Sequence, residues 1–270
     1  MRRLWLPAAF VALIIAIALA APLLGLPDPV RQDIARRLQG PMPGSWLGRD
    51  EFGRDVLSRL IWGARTSLSV AFASALAAGL LGVVLGLIAG WFHGIVSFLS
   101  ARSMDIILCF PPVLLALLVV TLLGPGAATL ILVLSVLYLP GFARVTHAEV
   151  LAVRGREYVE AVRALGAPTW YILLRTVLPN IAGPVLVQLS LAVAAAVVLE
   201  SGLSFLGLGV VPPAPSWGLM IRGARATMEQ APLLLVWPCA ALTLTILAMN
   251  LLCDALRDAV DPRTAGRASD

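Results

Sequence analysis

Few residues in this chain are placed to do chemistry. Ser204 lies in the glycine-flanked stretch GLSFLG, but a serine nucleophile needs a neighbouring general base. The histidines, His93 and His147, both stand near the ends of apolar runs, so no base is paired with Ser204 and it reads as a loop serine. Cys109, Cys239 and Cys253 fall in or beside apolar runs and lack the spacing of metal ligands, so buried free thiols are expected and no metal site. ATP chemistry is excluded more firmly. All 20 basic residues are arginines, and a GxxxxGK[ST] phosphate loop cannot be built without lysine. The chain therefore has no catalytic site and no cofactor of its own, and any ATP-driven role requires ATP and Mg on a separate subunit.

The elements that hold these residues are membrane spans. The 270 residues are 60% hydrophobic and 13% charged, with a mean hydropathy of +0.93. Soluble domains run near 45–50% apolar and about 25% charged. A spanning helix needs about 20 mainly apolar residues, and an ionisable side chain at its centre costs on the order of 3 kcal/mol. Charge-free windows then give six spans, near residues 4–24, 67–91, 106–123, 127–143, 181–199 and 231–253. Gly124-Pro125-Gly126 supplies the turn between the third and fourth. The window 201–221 is read as a folded loop, because Gly202, Gly207, Gly209, Pro212, Pro213 and Pro215 disfavour a lipid-facing helix. The first run resembles a signal peptide, with Arg2 and Arg3 before it and Ala18, Ala20 and Ala21 at its end. It continues to Leu26, longer than a signal core, and is read as an uncleaved span.

The resulting organisation is a first span over 1–26, an external segment over 27–66 with an amphipathic helix, and a five-helix core over 67–270. The core carries a loop at 144–180 and an external loop at 200–230. Span interiors hold essentially no ionisable residue; Asp105, Arg144, Glu200 and Asp254 lie at their ends. Ion-coupled transporters place such residues at mid-membrane, which makes a secondary transporter or channel the weaker alternative. The net charge of +5 sits on arginines between spans, so lipid rather than nucleic acid is the expected neighbour. With both termini inside, 11 arginines fall inside and 9 outside, a weak positive-inside bias.

Two patterns stand out. Gly82, Gly86 and Gly90 repeat at every fourth position, the spacing that lets membrane helices approach backbone to backbone. The polar stretch REYVEAVRALGAPTWYILLRTVLPN begins at Arg156. Tyr158, Val159, Val162 and Leu165 fall at helical spacing, and Arg156 and Glu160 are placed to pair. Gly166 ends this helix and Pro168 starts the next, which runs through Leu178-Pro179 into the fifth span. Such a helix–glycine–helix can enter a groove of a soluble partner with its apolar stripe, or rest on lipid. The residues alone leave both open.

That stretch resembles the EAA loop of ABC importer permeases, whose pattern is EAA, three residues, Gly, nine residues, Ile, one residue, Leu-Pro. Glu160, Ala161, Gly166, Leu178 and Pro179 match, while Val162 replaces the second alanine and Thr176 the isoleucine. Four further stretches resemble the dipeptide, oligopeptide and nickel branch, as its second permease subunit. They are LGRDEFGRDVLSRLIWGARTSL from Leu47, ARSMDIILCFPP from Ala101, ESGLSFLGLGVVPPAPSWG from Glu200 and NLLCDALRDAVDPR from Asn250. In the first, Val56, Leu57, Leu60, Ile61 and Ala64 form an apolar face and Asp55 is spaced to pair with Arg59, a helix expected to lie along the outer membrane surface.

The resemblance implies the type I ABC importer permease fold, all-α with six transmembrane helices and a cytoplasmic coupling helix. It implies an ATPase-docking loop carried by Glu157, Glu160, Ala161, Gly166, Leu178 and Pro179. It also implies the partners: a second homologous permease subunit, ATP-binding cassette subunits and an extracytoplasmic substrate-binding protein, in the inner membrane. The implied cargo is di- or oligopeptides, with nickel or another metal chelate, haem and glutathione as alternatives.

Overall fold

The computed structural model describes residues 2–92 and 94–260. His93 lies outside the described residues, as do Arg263 and Arg267 of the charge count. Among the described residues the architecture is wholly helical. Helix α1 (Arg2–Ala20) leads through a turn-rich segment with two short 3-10 helices to α2 (Val56–Trp91), α3 (Ile95–Leu108), α4 (Pro112–Leu123) and α5 (Ala127–Val153). The short α6 (Glu157–Ala164) and α7 (Thr169–Tyr171) follow. A π-turn over Ile172–Val177 joins α7 to α8 (Leu178–Leu206), and α9 (Trp217–Ala226) and α10 (Leu233–Val260) complete the chain. Five of these helical runs are long and apolar enough to cross a membrane, and α3 with α4 supplies a sixth crossing if the bent pair is one span.

The packing is that of a bundle in lipid. Small residues fill the centre: Ala71, Ala75, Ala78, Ala116 and Ala196 are fully buried, whereas Leu80, Leu122 and Leu123 stand exposed on the outside. Lipid tails give helices little hydrophobic reason to associate, so close backbone approach has to supply the attraction. Helices α2 and α5 form the tightest pair. A Cβ added at Gly82 would lie 2.6 Å from the Phe142 Cβ, and one at Gly86 2.5 Å from the Thr146 Cβ. At Gly90 it would meet Val150 at 2.7 Å. The three glycines thus share one face, laid against residues 139–150 of α5.

Four sequence-based expectations are corrected. Among the described residues no separate surface-lying helix is found over 56–64, because residues 56–91 form one helix of 36 residues. At about 1.5 Å per residue that is roughly 54 Å, so its first turns project beyond a hydrocarbon core of about 30 Å. Nothing between Val56 and Thr66 interrupts it, and Asp55 caps its start by accepting from the Ser58 N–H. The third span is not straight: α3 and α4 meet at 85° across Cys109–Pro111. Pro111 and Pro112 offer no amide hydrogen there, and a residue preceding proline is steered away from helical geometry. The window 201–221 is not all loop either. Helix α8 runs through Gly202 to Leu206 before Gly207 stops it at φ +84, and α9 begins at Trp217. Finally, of the free thiols only Cys253 is buried, while Cys109 is exposed at the α3–α4 bend.

Candidate functional site

The loop after α5 is built to be rigid. Arg154, at the end of α5, donates to the Gly90 carbonyl at 3.0 Å, tying α5 to the end of α2. Helix α6 then begins, with Glu157 and Glu160 in its first turn, where carboxylates meet the positive end of the helix dipole. Its end is a Schellman motif. Gly166, at φ +80, donates to the Arg163 carbonyl at 3.0 Å, and the Ala167 N–H reaches back to Val162 at 3.4 Å. Nothing lies within 4 Å of the place a Gly166 Cβ would take. Glycine is needed there for its backbone geometry rather than for space.

The apolar stripe expected to enter a partner's groove is divided. Val159 is fully buried and Val162 packs beside it, against Leu87, Val150, Ile172, Leu173, Val177 and Ile181 of the same chain. Tyr158 and Leu165 stay outside, 41% and 87% exposed, together with Trp170 and Leu174. The division follows from the short connections, which hold α6 against α2 and the π-turn so that one side must be covered by the chain itself. The expected Arg156–Glu160 pair is not among the ion pairs of the described residues. Arg163 instead lays its guanidinium over the Trp91 ring at 4.7 Å, a contact with no signal in sequence spacing because the partners lie on different helices.

Of the loop residues named from sequence, Glu157, Glu160, Ala161, Gly166 and Pro179 are exposed, and Leu178 is half-buried against the apolar cluster that also receives Val159. Five therefore face outward on one loop while Leu178 anchors its exit. Ile172–Val177 carries this exit into α8 as a π-turn, so that one helical run spans Thr169–Leu206. π-Bulges inside α-helices are frequent at functional positions.

At the opposite end of α2 and α8 the contacts are polar. The Asp50 carboxylate accepts from the Arg54 Nε at 2.7 Å and the Arg59 Nε at 3.2 Å, all three side chains being nearly buried. It accepts from the Arg54 and Phe52 N–H groups as well, each at 2.9 Å. Arg59 therefore pairs with Asp50, not with Asp55 as its spacing suggested; Asp55 is occupied by the helix cap and by the Ser45 hydroxyl at 2.6 Å. Ser204 is no loop serine. It is fully buried, and its hydroxyl donates to Glu200 Oε1 at 2.7 Å while accepting from the Val210 N–H at 3.2 Å.

Residues 82–266 match a protein family described as "Binding-protein-dependent transport system inner membrane component". Among curated relatives, a glutathione transport system permease protein, GsiD, of Pectobacterium atrosepticum is 39% identical over 255 residues, covering 94% of this chain and 85% of its own. A di/tripeptide transport system permease protein, DppC, of Pseudomonas aeruginosa is 40% identical over 265 residues, covering 96% and 88%. A dipeptide transport system permease protein, DppC, of Alkalihalophilus pseudofirmus is 37% identical over 249 residues, covering 92% and 82%. Among solved structures, an inward-facing form of the MetNI methionine ABC transporter superposes with a TM-score of 0.61. It is 18% identical and covers 75% of this chain and 96% of that one, a likeness of fold.

Proposed function

The chain belongs to the family of binding-protein-dependent transport system inner membrane components, and from that premise we propose that it carries di- or oligopeptides into the cell as one half of an ATP-driven pore. It is a multi-pass permease subunit of an ABC importer. Peptide cargo is supported by the dipeptide and di/tripeptide permeases among its relatives. Glutathione, itself a tripeptide, is the second reading, supported by the Pectobacterium relative. Nickel or another metal chelate and haem remain alternatives of the same importer type.

The partner set is the one that membership of the family implies. A second homologous permease completes the pore, and separate ATP-binding cassette subunits bind and hydrolyse ATP with Mg. Both termini and the 157–179 loop are cytoplasmic, and the loop docks on an ATP-binding subunit. An extracytoplasmic binding protein delivers the cargo at the opposite end. The observation that carries the docking role is the divided loop helix. Val159 and Val162 bind it to its own bundle, leaving Glu157, Tyr158, Glu160, Ala161 and Leu165 free for a partner. A loop so anchored moves as one body with α5 and α8. Nucleotide-driven closure of the ATPase pair can therefore turn the bundle, provided the loop docks differently in the two ATPase states.

Two substitutions test this. Gly166→Pro forces a φ near −65° where the structure holds +80°. Glu160→Arg reverses charge on the outward face. Both variants should insert and pair with the second permease, yet lose ATP-dependent peptide uptake. Uptake at the wild-type rate in both would remove the docking role. Competition of labelled dipeptide uptake by oligopeptide, glutathione, nickel chelate and haem then identifies the cargo.

A further inference from the structure

Glu200 is fully buried in α8, six residues before its end at Leu206. A buried carboxyl group is costly unless its oxygens are met by donors, and here two serines of α8 supply them, with serines of two other elements close by. Ser204 donates to Oε1 at 2.7 Å and Ser201 to Oε2 at 3.3 Å, both from α8 itself. Ser67 of α2 and Ser216 at the start of α9 stand beside the same carboxyl group. These serines also hold the backbone around them. The Trp217 N–H donates to the Ser67 hydroxyl at 3.4 Å, the Val210 N–H to Ser204 at 3.2 Å, and the Ser216 hydroxyl caps α9 by accepting from the Leu219 N–H. Trp217, also buried, donates its indole N–H to the Leu60 carbonyl of α2 at 3.1 Å. The segment is drawn so close that a Cβ on Gly218 would lie 2.2 Å from the Ser201 carbonyl oxygen, and one on Gly209 2.0 Å from the Ser204 hydroxyl.

We infer that Glu200 is a positioning residue for coupling: it fastens the segment 207–226 to the end of α8, so that a load on that segment reaches the cytoplasmic loop through one helix. This rests on the importer reading above. Two features point to a transmitting joint rather than ordinary packing. The carboxylate joins the far end of the same helical run, Thr169–Leu206, whose near end is the coupling loop. Its donors are hydroxyls, which rotate to keep a directional bond through small shifts, whereas apolar packing fixes no direction. A binding protein seating on 207–226 therefore pulls on α8 and α2 together.

The test uses the full complex of both permeases, the ATP-binding subunits and the binding protein, reconstituted in vesicles. ATP hydrolysis is read with and without peptide-loaded binding protein. In Glu200→Ala, and separately in the double variant Ser67→Ala/Ser216→Ala, assembly and basal hydrolysis should match wild type while stimulation by the loaded binding protein falls about tenfold, the scale of one lost hydrogen bond. Glu200→Gln, which keeps the size and one acceptor oxygen, should recover part of the stimulation. Full stimulation in Glu200→Ala or in the double serine variant overturns the assignment. So does loss of assembly in the double serine variant, since the joint would then be structural only. A wild-type complex that ignores the loaded binding protein would instead contradict the importer reading itself.

Discussion

The two ends of the bundle are held by opposite kinds of force. At the end that carries the 157–179 loop the fastening is apolar: Val159, Ile172, Leu173, Val177 and Ile181 close one cluster, and Gly82, Gly86 and Gly90 bring α2 within backbone contact of α5. At the far end, carboxyl groups meet arginines and serines, at Asp50 with Arg54 and Arg59 and at Glu200 with the Ser201 and Ser204 hydroxyls. Both ends leave apolar side chains uncovered, Tyr158, Leu165, Trp170 and Leu174 on the loop and Trp46 and Val211 at the far end, but the far end also turns Trp217 inward and satisfies it. A surface with its own apolar anchors beneath and bare aromatic and aliphatic side chains above is suited to a partner that comes and goes. An end knotted by directional bonds is suited to keep its shape when something presses on it.

The contrast can be broken first where the far end is most costly to disturb. Asp50→Ala removes the carboxylate that Arg54 and Arg59 share, leaving Arg54 its Glu51 pair and Arg59 the Pro29 carbonyl, and should destabilise the protein by about 3 kcal/mol, read as a fall in its thermal midpoint in detergent. At the other end Gly86→Leu places side-chain atoms where Thr146 and the Ala143 carbonyl already are, with an expected loss of about 1–3 kcal/mol from overpacking. The same assay should show a smaller fall.

How much of this was legible from residues depends on whether one residue type carries the constraint. The glycine ladder announces a close helix face because only a missing side chain permits it. Gly166 announces a helix end because the Schellman geometry needs φ > 0. The length of α2 was hidden, since charged Arg59 and Arg65 read as lying outside a span, and a helix is free to project past the membrane. Gly202 suggested a loop but sits inside α8 with open space around it. The Pro111-Pro112 pair was in view, yet only three-dimensional structure tells a kink from an 85° turn. Glu200 was the hardest to read: Ser204 stands one helical turn on, but it was read as a loop serine, and the neighbouring Ser67 and Ser216 lie on other elements that no spacing rule links to it.

Two smaller effects sharpen the contrast at the loop. Gly166→Ala should lose only about 1–2 kcal/mol, the strain of a left-handed backbone, since no atom obstructs the added methyl. Peptide uptake should fall more than the thermal midpoint does. Leu165→Ser should change stability by no more than about 0.5 kcal/mol, because that side chain is 87% exposed. Co-purification of the ATP-binding subunit should nevertheless weaken.

The most direct test is to place a photo-activated cross-linking residue at Leu165, and for comparison at Val159, in the assembled importer. Docking of the loop requires an adduct with the ATP-binding subunit from position 165, with a yield that changes when nucleotide is added, and an adduct within the chain itself from position 159. Adducts to lipid alone from position 165, unaltered by nucleotide, would contradict it and leave the loop as a helix resting on the membrane.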